Sequence, residues 1–196
     1  MKTRFLAFGL LLTGVALTVS GCATTSDYVT LNYSVQGNAT RIQGADSIQV
    51  KVVVDDQRAV KDRVSAKKDM SGNEIGPIMS VNDVRAAFQQ ALEHELRNRG
   101  FKVGTEGTTV EFTLIKFYND FVPRVFLKRA NTDTASKVRV INRNGEEVLV
   151  KNMGEDWSKP VMRMSAGRAQ AALNKALTEN IRNLFRDSDF VNALMK

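Results

Sequence analysis

Two stretches of this chain place apolar residues every three or four positions, and the stretches around them place apolar residues every second position. That switch of period constrains the fold more than any other feature, because a helix and a strand must each bury one face. Val81, Val84, Phe88, Leu92 and Leu96 form the first helical stripe, with Ala87 and Ala91 beside it. Ser80, with Asp83 three positions on, predicts the start of this helix. Gly100 predicts its end, with Phe101 folded back on Leu96 in a Schellman turn. Ala169, Leu173, Ala176, Leu177, Ile181 and Leu184 form the second stripe, opened by Ser165. Asp187-Ser188-Asp189 predicts a restart into a short C-terminal helix carrying Phe190, Val191 and Leu194.

Period two marks the strands. Ile48, Val50, Val52 and Val54 alternate with Gln49, Lys51 and Val53. Val110 to Ile115 alternates in the same way, and Tyr28 to Val35 reads as an edge strand or an extended arm. Residues 59–79 predict a hairpin with Ser71-Gly72-Asn73 at its tip. A second hairpin joins Ala135–Ile141 to Glu147–Lys151 through Asn144-Gly145, a dipeptide suited to positive φ. Strands, hairpins and two amphipathic helices in this order predict an α+β domain. It is a mainly antiparallel sheet with both long helices on one face, plus the short C-terminal helix.

The N-terminus is of another kind. Lys2 and Arg4 precede a nearly unbroken apolar run, Phe5 to Val19, which is short for a spanning helix and fits a secretory signal. The run exits through Val19-Ser20-Gly21-Cys22, an aliphatic residue and two small ones before the only cysteine of the 196 residues. This pattern resembles a bacterial lipobox. It implies lipid transfer to the Cys22 sulfur and cleavage between Gly21 and Cys22, a thiolate being nucleophilic enough for the task. Several acyl chains hold a protein to a bilayer stably where one does not. Ala23 follows where an aspartate would favour the inner membrane, so the expected place is the periplasmic face of the outer membrane. The chain then divides into a signal peptide (1–21), a lipidated N-terminus with tether and edge strand (22–46), and a single α+β periplasmic domain (47–196).

Loss of Lys2 and Arg4 with the signal lowers the formal net charge from +7 to +5, and the remaining bases are interspersed with acids. No basic stripe for nucleic acid results. With Cys22 lipidated, no disulfide is available. The one histidine, His94, has no second imidazole or thiol with which to build a metal site. No nucleophile elbow, phosphate loop or dinucleotide motif is present. Asp55-Asp56, Glu146-Glu147 and Glu155-Asp156 are adjacent pairs, and neighbours on a strand face opposite ways. The expectation is therefore a protein without catalytic residues, metal or cofactor, apart from the covalent lipid on Cys22.

Two segments remain. Asp56-Gln57-Arg58 follows the strand Ile48–Val54. Either Asp56 and Arg58 clamp the turn, or Asp56 orients Arg58 toward an anionic ligand. Phe121 to Arg129 interleaves apolar and basic residues around Pro123. It is either a bent strand with a core face or an exposed patch for a partner or an anionic membrane.

Taken with the lipobox, the strand ending in Asp56-Gln57-Arg58, Arg99-Gly100-Phe101-Lys102-Val103 after the first helix, and Asn144-Gly145 before a terminal helix, the chain resembles the YajG family of uncharacterised bacterial lipoproteins. The resemblance implies location and class, and no activity. The function expected is a non-catalytic binding or envelope-assembly accessory protein with an envelope protein or glycan as partner. The alternative is a periplasmic enzyme or sensor that binds an anionic envelope ligand, such as a muropeptide, through Arg58.

Overall fold

The computed structural model describes residues 26–35 and 39–196. Gly21, Cys22 and Ala23 lie outside the described residues. Eight strands form one mixed sheet: β1 (Asp27–Val29), β2 (Gln49–Asp56), β3 (Ser65–Lys68), β4 (Glu74–Ser80), β5 (Lys102–Val103), β6 (Thr108–Val122), β7 (Lys128–Ile141) and β8 (Glu147–Val161). The helices are α1 (Val84–Asn98), α2 (Ala166–Arg186) and α3 (Ser188–Leu194). The α+β architecture read from the sequence is the one observed.

The two longest ladders, β6–β7 and β7–β8, are antiparallel. β2 and β3 both run parallel to β6, β2 along its first half and β3 along its second. The chain therefore leaves β2 where β2 and β3 divide, and that loop holds Arg58. β3 and β4 form the expected hairpin around Ser71-Gly72-Asn73. At the other hairpin Gly145 takes φ 83° in the turn between β7 and β8, and nothing lies within 4 Å of where its Cβ would be. Gly145→Ala is thus expected to cost about 1–2 kcal/mol, the left-handed penalty alone, and Gly145→Asn less. Urea melts of the two variants check this.

One face of the sheet is the core. Val110, Phe112, Leu114, Phe117 and Phe121 of β6, with Val138 and Val140 of β7, are buried under α1 and α2. Phe88 of α1 stacks on Phe112 with ring centroids 5.5 Å apart and meets Phe117 edge-on at 5.1 Å. The opposite face is polar: Arg139 bridges Glu111 and Glu147, and Lys116 pairs with Asp133.

α1 begins later than expected. Ser80 still pairs in β4 with Val29, and Asp83 is the cap, its carboxylate accepting from the Ala86 N–H at 2.7 Å. Val81 is consequently exposed. The end is as expected: Gly100 has φ 103°, the Phe101 N–H donates to Leu96 O and the Gly100 N–H to Arg97 O. After β1 the chain continues as an extended arm over α2. The N–H groups of Thr30, Asn32 and Ser34 donate to Gln170, Asn174 and Thr178, one α2 turn apart each time. Val29 and Leu31 are buried beneath the arm and Ala45 beyond it, all three within the core.

Candidate functional site

Asp56 and Arg58 form a closed clamp. The Arg58 guanidinium donates from Nε to Asp56 Oδ1 and from Nη2 to Asp56 Oδ2, both at 2.9 Å, and the Arg58 N–H also donates to Oδ1. Arg58 is only 4 % exposed. Burial pushes the Asp56 carboxyl upward, but the hydrogen bonds and charge of Arg58 outweigh it and hold the group below its ordinary value. One guanidinium nitrogen, Nη1, is buried without a partner among the described residues. The clamp borders a crevice lined also by Lys61, Asp62 and the residues leading into α1. Asp62 pairs with Arg63, and Asp83 caps α1. The crevice carries both signs and no excess of positive charge.

His94 is exposed on α1, with its ring edge-on to Tyr33 at 5.9 Å. Its neighbour Glu95 is buried. It accepts from Tyr33 Oη at 2.7 Å and pairs with Arg99 at 2.8 Å, while the Arg99 guanidinium lies over the Phe185 ring. Burial and the bond to Glu95 raise the Tyr33 phenol well above its usual value. This network ties the arm, α1 and α2 together. Its one visible trace in the sequence is the Glu95–Arg99 spacing of four, which suits a helical ion pair. Among the described residues no group of three His, Cys, Asp or Glu could hold a metal ion.

A feature that sequence reasoning missed lies between α2 and β8. A groove of about 260 Å³ is lined by Ala130, Trp157, Val161, Ala171 and Ala172, and edged by Lys159, Arg168 and Lys175. No carboxylate lines it. None of the three cations forms a salt bridge among the described residues, whereas Lys68, Lys116 and Arg139 of the sheet do. α2 packs over β7, which leaves the flank carrying Arg168, Ala171, Ala172 and Lys175 to face the edge strand β8. The single tryptophan is the anchor of the groove, and aromatic and basic side chains together are the composition of binding hot spots.

Phe121 to Arg129 is a hairpin tip. Phe121 is fully buried at the end of β6, and Lys128 opens β7. Between them Val125, Phe126 and Leu127 point into solvent. Both expectations for this segment hold in part, the core face at Phe121 and the exposed patch beyond it.

The fold is similar to that of solved proteins. Protein XCC0632 from Xanthomonas campestris, of the family DUF330, superposes with a TM-score of 0.57 at 13% identity, over 81% of this chain and 92% of that one. An uncharacterized protein superposes at 0.50 and 9% identity, over 83% and 98%. A minor lipoprotein from Acinetobacter baumannii matches at 0.45 and 6% identity, over 74% and 94%. Comparison with curated proteins gives no significant match. A family model described as "uncharacterized lipoprotein" (Lipoprotein_16) matches residues 36–195, and the chain belongs to that family of bacterial lipoproteins.

Proposed function

We propose that this protein is a YajG-type, non-catalytic binding lipoprotein. It is held by lipid on Cys22 to the periplasmic face of the outer membrane, and it receives an acidic segment of an envelope partner in the α2–β8 groove. One observation carries the binding reading: an apolar groove floor around Trp157, ringed by Lys159, Arg168 and Lys175 with no acid among its lining residues. Cations without internal partners recognise an anionic partner without first breaking a native ion pair, and they steer its approach. Lipobox and family support the anchor.

Two measurements test the reading. Radiolabelled palmitate should enter the wild type and not Cys22→Ser, and the labelled protein should fractionate with the outer membrane. A mature wild type without acyl label refutes the anchor. A photocrosslinker placed at Ala172 should trap a partner in the wild type and lose it when Arg168 and Lys175 are both replaced by glutamate. Equal trapping in both rejects the groove.

A second reading has one observation in its favour. The buried, unpartnered Nη1 of Arg58 is a donor that an anionic envelope ligand, such as a muropeptide, would satisfy. Asp56 already occupies the other edge of the guanidinium, so the groove is the stronger candidate.

A further inference from the structure

The strands give the sheet two ends that differ in chemistry. At one end are the β6–β7 tip and the residues following β8, which the register of Lys128 with Val161 brings side by side. Phe126 is 100 % exposed there, Val125 80 %, Met162 83 % and Leu127 47 %. A soluble surface seldom carries large apolar side chains this bare in one place. Residues 123–129 and 158–164 contain Arg124, Lys128, Arg129, Lys159 and Arg163, and no Asp or Glu. None of the five pairs with a carboxylate among the described residues; Arg129 donates to Ser158 instead. The β3–β4 turn, at the same end, adds exposed Met70, and its Asp69 is engaged within the turn by Ser71 and Asn73. The opposite end carries the Asn144-Gly145 turn.

The direction of the N-terminal strand decides which end faces a membrane. Asp27 pairs with Ile78, Ile78 with Ser65 and Ser65 with Asn119, so these four residues lie in one row across the sheet. β6 runs from Asn119 toward the tip. β1 runs parallel to β4, and β4 antiparallel to β3, so β1 runs away from the tip. The chain before Asp27 therefore enters from the tip's end. Cys22 is five residues earlier, a reach of at most about 18 Å. The opposite end of the sheet is about 40 Å from the tip, the rise of the twelve steps from Thr109 to Phe121 at ~3.3 Å each. A lipid on Cys22 thus holds the tip's end toward the bilayer.

We propose that this end is a membrane-contact surface, which sinks Val125, Phe126 and Leu127 into the headgroup region of an anionic phospholipid leaflet while Arg124, Lys128, Arg129 and Arg163 meet lipid phosphates. Apolar side chains flanked by Lys and Arg are the composition that binds such an interface. The proposal rests on the Cys22 anchor for orientation, and its test separates the two. Cys22 carries the lipid, so Phe126→Cys introduces the only free thiol, and Asn144→Cys supplies the matching control at the far end. Each lipidated variant is labelled with a polarity-sensitive fluorophore and reconstituted in vesicles of phosphatidylethanolamine with phosphatidylglycerol.

The expected result is a blue shift and protection from aqueous iodide at residue 126, and neither at residue 144. Replacing Arg124 and Lys128 with glutamate should lower the protected fraction at residue 126 several-fold. If both probes stay in water while the protein remains vesicle-bound through Cys22, the contact surface is overturned and the anchor stands. If Cys22 takes no acyl label, the anchor fails, and the two cysteine variants, remade with Cys22→Ser, are labelled and added to the vesicles from solution. A shift at residue 126 then upholds the contact surface, and its absence overturns it. A shift at residue 126 without vesicles that grows with protein concentration would mean that a second copy covers the tip, and would also overturn it.

Discussion

Phe88→Ala is expected to destabilise the domain by about 3–5 kcal/mol, the range for deleting a buried aromatic side chain from a packed core. Phe88 is fully buried and touches the sheet through two aromatic partners, Phe112 and Phe117. Those pairs are each worth about 0.5–1.5 kcal/mol beyond the area they bury. They join α1 to β6, the strand on which β2, β3 and β7 all assemble. In a domain of this size such a loss lowers Tm by on the order of 10 °C. Phe126→Ala is the paired control: that ring is wholly exposed, and its loss should stay within about 0.5 kcal/mol. Thermal melts of the two variants decide the matter. Equal effects would mean that the β6–β7 tip is packed, and would contradict both the core assignment and the exposure of the tip.

β6 shows why the sequence disclosed some elements and concealed others. Its alternation is legible from Val110 to Leu114 and then fails, because a bulge at Ile115 changes the parity. Before the bulge the buried residues are even-numbered (Val110, Phe112, Leu114), and after it they are odd-numbered (Phe117, Asn119, Phe121). A strand of 15 residues therefore reads as a short one followed by irregular chain. β7 hides its first half differently. Thr132, Thr134 and Ser136 are buried, but they are polar and small; the Thr132 hydroxyl donates to Asn119 Oδ1, and the Thr134 hydroxyl accepts from Asn180 Nδ2. No apolar pattern could mark them. The helices were legible because their stripes are unbroken and Gly100 and Ser165 mark their ends by local chemistry that needs no tertiary partner. The start of α1 was misplaced at Ser80, which pairing with Val29 draws into β4, and Asp83 is the cap.

The same distinction applies to the sites. The Asp56–Arg58 clamp was readable because both partners lie two residues apart on one turn. The groove was not. Trp157 belongs to β8 and Arg168 and Lys175 to α2, and along the helix those two bases look like part of an ordinary wet face. Only the lateral placement of α2 over β7 brings them beside the tryptophan.

Removal of Asp56 tests what the clamp is for. Asp56→Ala leaves the Arg58 guanidinium buried with no counter-charge, and an uncompensated buried charge costs about 3–5 kcal/mol. Arg58→Ala should cost less, since it leaves Asp56 at a more open position where water can reach it. The double variant should cost less than the sum of the two, because neither charge is then stranded. The pH dependence follows from the Asp56 carboxyl, which the fold holds below its ordinary 3.8. A depressed folded-state value means that its stabilisation is fully present above the unfolded value and is lost as pH falls through the folded one. The gap between wild type and Asp56→Ala should accordingly be constant near neutrality and close only below about pH 4. Ligand chemistry enters at the same point. An anion that used Arg58 would have to displace or join Asp56, so Asp56→Ala would bind it more tightly than the wild type and regain stability by mass action. Thermal shift with muropeptides and inorganic phosphate therefore separates the two readings. If an anion stabilises the wild type as well as Asp56→Ala and leaves Arg58→Ala unchanged, Arg58 is a binding residue. If none does, Asp56 is itself the anion for which Arg58 is placed, and the clamp serves to fix the chain where β2 ends and the path toward β3 begins.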